Sequence, residues 1–331
     1  MTHRHVKTLI FAAALSLTAP AFAQHDMHDM AGMEGMDGME APAKPALSSA
    51  GSGTAREPGS IGPMGGFHLM SGDWMLMAHA TVWGVYSDQS GPRGDNKAFS
   101  QSMGMVSAEG PLGDGVRLQL RTMLSLDALM GKRGYPILFA VGETAGGEPL
   151  VDRQHPHDFV MEMAGRIDFD VAPDTSLFVY GGPVAEPALG PTAFVHRASA
   201  RFNPEAPIAH HWFDSTHVTF GVVTAGLSAR HFQIEASAFR GQEPDEHRWD
   251  IEKPRLDSWS VRGTWNPTPK WSAQMSYGQI RNPEVTHPGE DEKRFTVSAS
   301  YATGPLAAMV GYSRKNRRPA QSVRADRDRR E

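Results

Sequence analysis

Residues 116–126 read Val-Arg-Leu-Gln-Leu-Arg-Thr-Met-Leu-Ser-Leu. Successive side chains of an extended chain point to opposite faces. Val116, Leu118, Leu120, Thr122, Leu124 and Leu126 therefore share one face, and Arg117, Gln119, Arg121 and Ser125 share the other. Residues 294–301 repeat the pattern, with Phe295, Val297, Ala299 and Tyr301 opposite Arg294, Thr296, Ser298 and Ser300. Eleven segments carry this two-residue rhythm: 72–86, 98–107, 116–126, 157–171, 176–181, 218–228, 232–239, 257–265, 271–279, 294–301 and 307–313. The chain is predicted to be all-β.

The connections separate two β architectures. Tight turns rich in Gly, Pro and Asn (109–115, 172–175, 229–231, 266–270 and 302–306) alternate with long loops (87–97, 128–156, 182–217, 241–256 and 280–293). Short turns on one rim and long loops on the other are the rhythm of a transmembrane antiparallel barrel. Trp83, Tyr86, Tyr180, Trp259, Trp265, Trp271, Tyr277 and Tyr301 stand near strand ends, where interfacial girdles would place them. A secreted β-sandwich shows the same alternation along each strand but has no need of alternating loop lengths. The barrel domain is assigned to residues 67–313. Eleven is an odd number, whereas single-chain bacterial barrels use an even one. A family of about 12 or more strands, shortened here at its C-terminal end, is the expectation. Residues 314–331 carry eight basic and three acidic residues and are expected to be a solvated, disordered tail.

The N-terminus is read as a secretory signal over residues 1–23. Arg4 and Lys7 precede an apolar run over residues 9–19, and Ala21-Phe22-Ala23 forms a small-residue cleavage signal before Gln24. No later run is long and apolar enough for a spanning helix. A membrane location would then require a closed barrel, because lipid cannot satisfy an open sheet edge. The chain has no cysteine. A disulfide scaffold, a thiolate zinc site and a cysteine nucleophile are excluded.

Residues 24–66 are low in complexity and read as a disordered arm and linker. Met27, Met30, Met33, Met36 and Met39 recur every third residue beside His25 and His28, with Gly32, Gly35 and Gly38 between them. Such a glycine density opposes a helix, so the thioethers are left exposed. Thioether sulfur favours Cu(I), and imidazole also accepts Cu(II). The arm is read as a copper-binding segment.

Three long loops hold further candidates. His155, His157 and Asp158 lie in the first, His210, His211, Asp214 and His217 in the second, and His247 in the third. Histidine with carboxylate suits Cu(II), Zn or Ni. The alternating topology puts all three loops on one rim. Polar loops that hydrogen-bond one another and plug the lumen are an equal expectation. His155-Pro156-His157-Asp158 also has the look of a metallohydrolase motif, but no layered α/β scaffold accompanies it and no catalysis is expected. Met75, Met77 and His79 share a strand face that is expected to line the lumen, since histidine toward lipid is costly.

The segments VDRQHPHD (151–158), AEPALGPTAF (185–194), HHWFDSTHVTFGVV (210–223) and GQEPDEHRWD (241–250) resemble an uncharacterised proteobacterial family, read as outer-membrane and encoded beside copper-resistance genes. The resemblance covers about residues 66–318, after which the chain departs from the family pattern. Residues 25–39 resemble the methionine-rich arm of the copper-resistance outer-membrane protein B family. The resemblance implies an outer-membrane role in copper tolerance. Separately, no enzymatic activity is expected, and the expected partners are metal ions and outer-membrane lipid, with no nucleic acid. It supplies no mechanism.

Overall fold

The structure, a computed structural model, describes residues 11–14 and 46–319. The expected copper ligands Met27, Met30, Met33, Met36, Met39, His25 and His28 lie outside these residues. In chain order the strands are β1 (Phe11–Ala14), β2 (Ser48–Ala50), β3 (Arg56–Pro58), β4 (Phe67–Ser71), β5 (Trp74–Asp88) and β6 (Asn96–Gly113). There follow β7 (Val116–Leu124), β8 (Tyr135–Ala145), β9 (Glu148–Gln154), β10 (Val160–Ala172), β11 (Thr175–Ala185) and β12 (Thr219–Ala229). The last are β13 (Phe232–Phe239), β14 (Ser258–Trp265), β15 (Trp271–Ile280), β16 (Glu290–Thr303) and β17 (Leu306–Pro319).

One antiparallel sheet runs β5-β6-β7-β10-β11-β12-β13-β14-β15-β16-β17, with β1 and β4 both on the outer edge of β5. Every rhythmic segment of the sequence became one of these eleven sequential strands. β5 and β17 end the ladder and are not paired with each other among the described residues, so hydrogen bonds do not close the sheet.

Burial along the strands is inverted relative to a water-soluble sheet. On β7 the apolar Leu120 and Leu124 are exposed while Arg121 is buried. On β16 Arg294, Thr296, Ser298 and Ser300 are buried and Val297 is exposed. Val106, Val179, Val223, Ile234, Val261, Met275 and Val310 all face outward. The inner face holds the ion pairs Arg121–Glu162 (2.7 Å), Arg262–Glu235 (2.9 Å) and Arg294–Glu292 (2.7 Å). A large exposed apolar surface on a folded sheet marks an interaction face, for a protein partner or for a membrane. Exposed aromatics gather at both strand ends. Trp259 and Tyr277 stand 5.8 Å apart toward the long loops, and Trp271 and Tyr301 4.8 Å apart beside the short turns.

The reading of residues 24–66 as disordered linker is corrected for residues 46–66, which enter the interior. β2 and β3 pair as a hairpin, and Ser52, Thr54 and Glu57 are buried. The hairpin is held by polar contacts from the inner wall: Arg121 donates to Gly53 O (2.9 Å), Gln233 to Thr54 O (2.8 Å) and Ser272 to Arg56 O (2.7 Å). Small polar residues suffice here because their partners are backbone carbonyls, so the composition carries no hydrophobic signature. Gly53 has φ +51°, and a Cβ there would lie 2.8 Å from Glu186 Cβ. The reading of residues 314–331 as a tail is corrected in its first part. β17 extends to Pro319 because Lys315 pairs with Glu292 (3.3 Å) and Arg317 with Glu284.

Burial pushes the Glu186 carboxyl up to about 8, against the Arg262 guanidinium and a hydrogen bond from Ser52. In the unfolded chain it titrates near 4.5. The folded state thus holds a proton that the unfolded state releases. This contribution to stability is full below the unfolded value and is lost as pH rises toward about 8. Thermal midpoints read by gel mobility should fall more steeply with pH in the native chain than in Glu186→Gln. Parallel slopes would show that Glu186 is ionised in the fold.

Candidate functional site

The long-loop rim collects five imidazoles from two loops. The loop between β7 and β10 contains the β8–β9 hairpin, then His155 and His157. The loop between β11 and β12 contains a one-turn helix α1 (His210–Phe213) and a 3₁₀ turn (Ser215–His217). Ring centres stand 5.7 Å apart for His155–His211, 5.2 Å for His211–His210, 5.0 Å for His210–His217 and 5.4 Å for His217–His157. Phe194 packs on His157, His210 and His217 at 5.9, 5.0 and 6.2 Å and shields them from water.

Asp214 organises the second loop. Its Oδ2 accepts from Phe194 N–H (2.7 Å) and the Arg197 guanidinium (2.8 Å), and its Oδ1 accepts from His210 Nδ1 (3.1 Å). The Asp214 carbonyl accepts from His217 Nδ1 (2.8 Å). Burial raises the Asp214 carboxyl, and the Arg197 guanidinium leads the groups that oppose it. On the other loop, Asp127 Oδ2 accepts from His157 Nδ1 (2.9 Å) while its Oδ1 accepts from Ser102 N–H (2.7 Å).

Desolvation holds His210, His211 and His217 well below the ordinary imidazole range, with neighbouring histidines adding to the effect. Burial also lowers His155. These imidazoles are neutral at physiological pH, the state in which histidine ligates a metal.

The predicted residues do not all converge. His155 faces acceptors on both sides, Glu143 Oε1 at 2.9 Å and Pro156 O at 3.1 Å. His211 Nε2 donates to Gln154 Oε1 (3.2 Å). Asp158 turns to Arg248 (3.2 Å) and not to the imidazoles. His247 lies outside the cluster, its exposed ring bonded to Asp245 (3.1 Å). Asp127, Phe194 and Arg197 were missed. Asp127 stands thirty residues from its histidine, and no spacing rule links the two. Among the described residues, no three His, Cys, Asp or Glu groups already meet in one coordination shell.

No family model, curated protein or solved structure matches the chain. The chemistry of the rim therefore has to be read from its own residues. It offers neutral nitrogen ligands in a water-poor setting, backed by two carboxylates. It offers no thiol, since the sequence contains none.

Below the cluster the inner wall changes character. Met77, Met103, Met105, Met123 and Met161 are buried together and pack against Phe159 and Val195, next to the histidine loops. Met77 and the half-buried His79 lie on the inner face as expected, with His79 opposite Met105 in register. Met75 is on the same side near the strand end and is more open.

Proposed function

We propose that this chain is an outer-membrane β-barrel that handles copper, taking Cu(I) on the methionine-rich arm and Cu(II) on the histidine loops. The observation that carries the metal reading is the gathering of five mostly buried imidazoles from two distant loops onto one rim. Burying five titratable rings is expensive unless their nitrogens are used, and neutral imidazole is a ligand for Cu(II). The outward apolar face and the two tiers of aromatics support the membrane reading. The signal-like N-terminus supports export, and the resemblance to copper-linked outer-membrane families points to the same metal.

A passive porin with an incidental arm is less well supported. Part of the interior is occupied by the β2–β3 hairpin and by the buried residues Glu186, Ala188, Leu189 and Ala193, which stand in the way of free diffusion.

The test uses cells carrying the intact chain, the chain without residues 24–40, or the chain with His157→Ala and His217→Ala. Copper tolerance and envelope-retained copper should fall in both altered strains. Unchanged tolerance and retention in both would leave the passive barrel. Envelope fractions run with and without boiling report the barrel itself, because a folded barrel migrates differently from its unfolded chain.

A further inference from the structure

Three of the five imidazoles are fixed in a single tautomer. His210 Nδ1 faces a carboxylate oxygen, His157 Nδ1 faces another, and His217 Nδ1 faces a carbonyl. A carbonyl and an ionised carboxylate can only accept, so with Asp127 and Asp214 ionised each Nδ1 carries the proton and each Nε2 keeps its lone pair. Histidines that bind metals are oriented in this way, with the far nitrogen donating to a carboxylate or carbonyl. His217 Nε2 is buried and has no hydrogen-bond partner. An orphaned buried lone pair is costly, and a cation would satisfy it.

Two of the three ring spacings suit one ion, with His217 between the other two rings. Metal–nitrogen bonds of about 2.0–2.1 Å put the ring centres of two imidazoles on a tetrahedral ion about 5 Å apart. The rings of His210 and His217 are 5.0 Å apart, and those of His157 and His217 are 5.4 Å apart. The neighbouring cations are each opposed by a carboxylate: Arg197 pairs with Asp214, Arg294 with Glu292, and Lys315 lies 3.3 Å from Glu292 and 4.0 Å from Glu284.

We propose that His157, His210 and His217 form a three-nitrogen site for a divalent cation of borderline softness, bound through their Nε2 atoms with Asp127 and Asp214 as the carboxylates behind. The proposal rests on the reading of this rim as a metal site and names its ligands and metal class. His155 and His211 stand outside the set, because His155 faces acceptors from both nitrogens and His211 spends its Nε2 on Gln154. With nitrogen ligands only, the site takes Cu(II) and Zn(II) in preference to Cu(I). Soft Cu(I) is left to sulfur elsewhere in the chain.

Zinc is the chosen probe, because the thioethers of the arm compete poorly for it. The full chain in detergent micelles is given less than one equivalent of Zn(II), and its zinc-edge X-ray absorption is recorded. Three imidazole nitrogens at about 2.0 Å are expected. A shell with fewer than two imidazoles overturns the assignment, and this measurement needs no variant. Asp214→Asn should then weaken zinc binding about 10–100-fold, while His247→Ala leaves it unchanged. Equal affinity in Asp214→Asn, His210→Gln and the native chain would also overturn it. The copper-handling reading fails separately. If the zinc shell holds three imidazoles but copper tolerance does not respond to the variants, the site stands and that function does not. If tolerance depends on the loops but the shell is not imidazole, the function stands and these ligands do not.

Discussion

Leu120→Arg should lower the folding stability of the chain in a bilayer by about 2–4 kcal/mol, the penalty for a cation on the lipid face near the midplane of a barrel. Leu120 is the central residue of β7 and points outward at 49% exposure, flanked in register by Ala108 and Gly165. Both register neighbours are apolar, so neither offers the guanidinium a partner. In a water-soluble sheet the same change would be nearly neutral, because exposed substitutions away from special features stay within about 0.5 kcal/mol. Gln119→Arg is the matched control. Gln119 lies on the inner face and donates to Glu109 Oε2 (3.0 Å), so a cation there gains a partner. Denaturant titrations in vesicles, read by gel mobility, should separate the two variants clearly. Equal and small effects would mean that the outer face meets water, and the membrane reading would fall with it.

The features that were legible in the sequence are those set by strict alternation. Arg117, Gln119 and Arg121 against Leu118, Leu120 and Leu124 announced both faces of β7, and ten other strands were visible for the same reason. The sequence could not say which face is the interior, since polar-in and polar-out give one pattern. That was decided by the buried Arg262–Glu235 and Arg294–Glu292 pairs. The β8–β9 hairpin escaped notice because its ladder is irregular. Phe139, Glu143 and Asp152 have positive φ, and the register shifts twice, so the two-residue rhythm is broken. The β2–β3 hairpin escaped because it is held by hydrogen bonds to its backbone, and serine, glycine and threonine look the same in a linker. In the site, the residue types at 155–158 and 210–217 were a fair guide. Which nitrogens are free is a matter of tertiary contacts with Asp127 and Asp214, and spacing along the chain carries no trace of it.

Arg262→Met should be the most damaging single change on the inner face of the sheet. Glu235 and Arg262 are directly opposed on β13 and β14, and each is 2% exposed. Arg262 donates to Glu235 Oε1 (2.9 Å), to Gly190 O (3.0 Å) and to Thr54 Oγ1 (3.0 Å). One guanidinium thereby joins the wall, the histidine-bearing loop and the inner hairpin. Removing it leaves a buried carboxylate whose remaining hydrogen-bond partners are Gln233 and Thr54. Breaking a buried pair from one side costs about 3–5 kcal/mol, because the surviving charge stays desolvated. A double variant, Glu235→Leu with Arg262→Met, removes both charges and should recover most of that loss, giving a coupling of several kcal/mol in a double-mutant cycle. The size of the effect also reports on the lumen. If water filled it, the pair would behave like an exposed one worth about 0–1 kcal/mol, and Arg262→Met would be mild. A large penalty with recovery in the double variant requires a dry interior in which the inner hairpin is part of the wall's own hydrogen bonding.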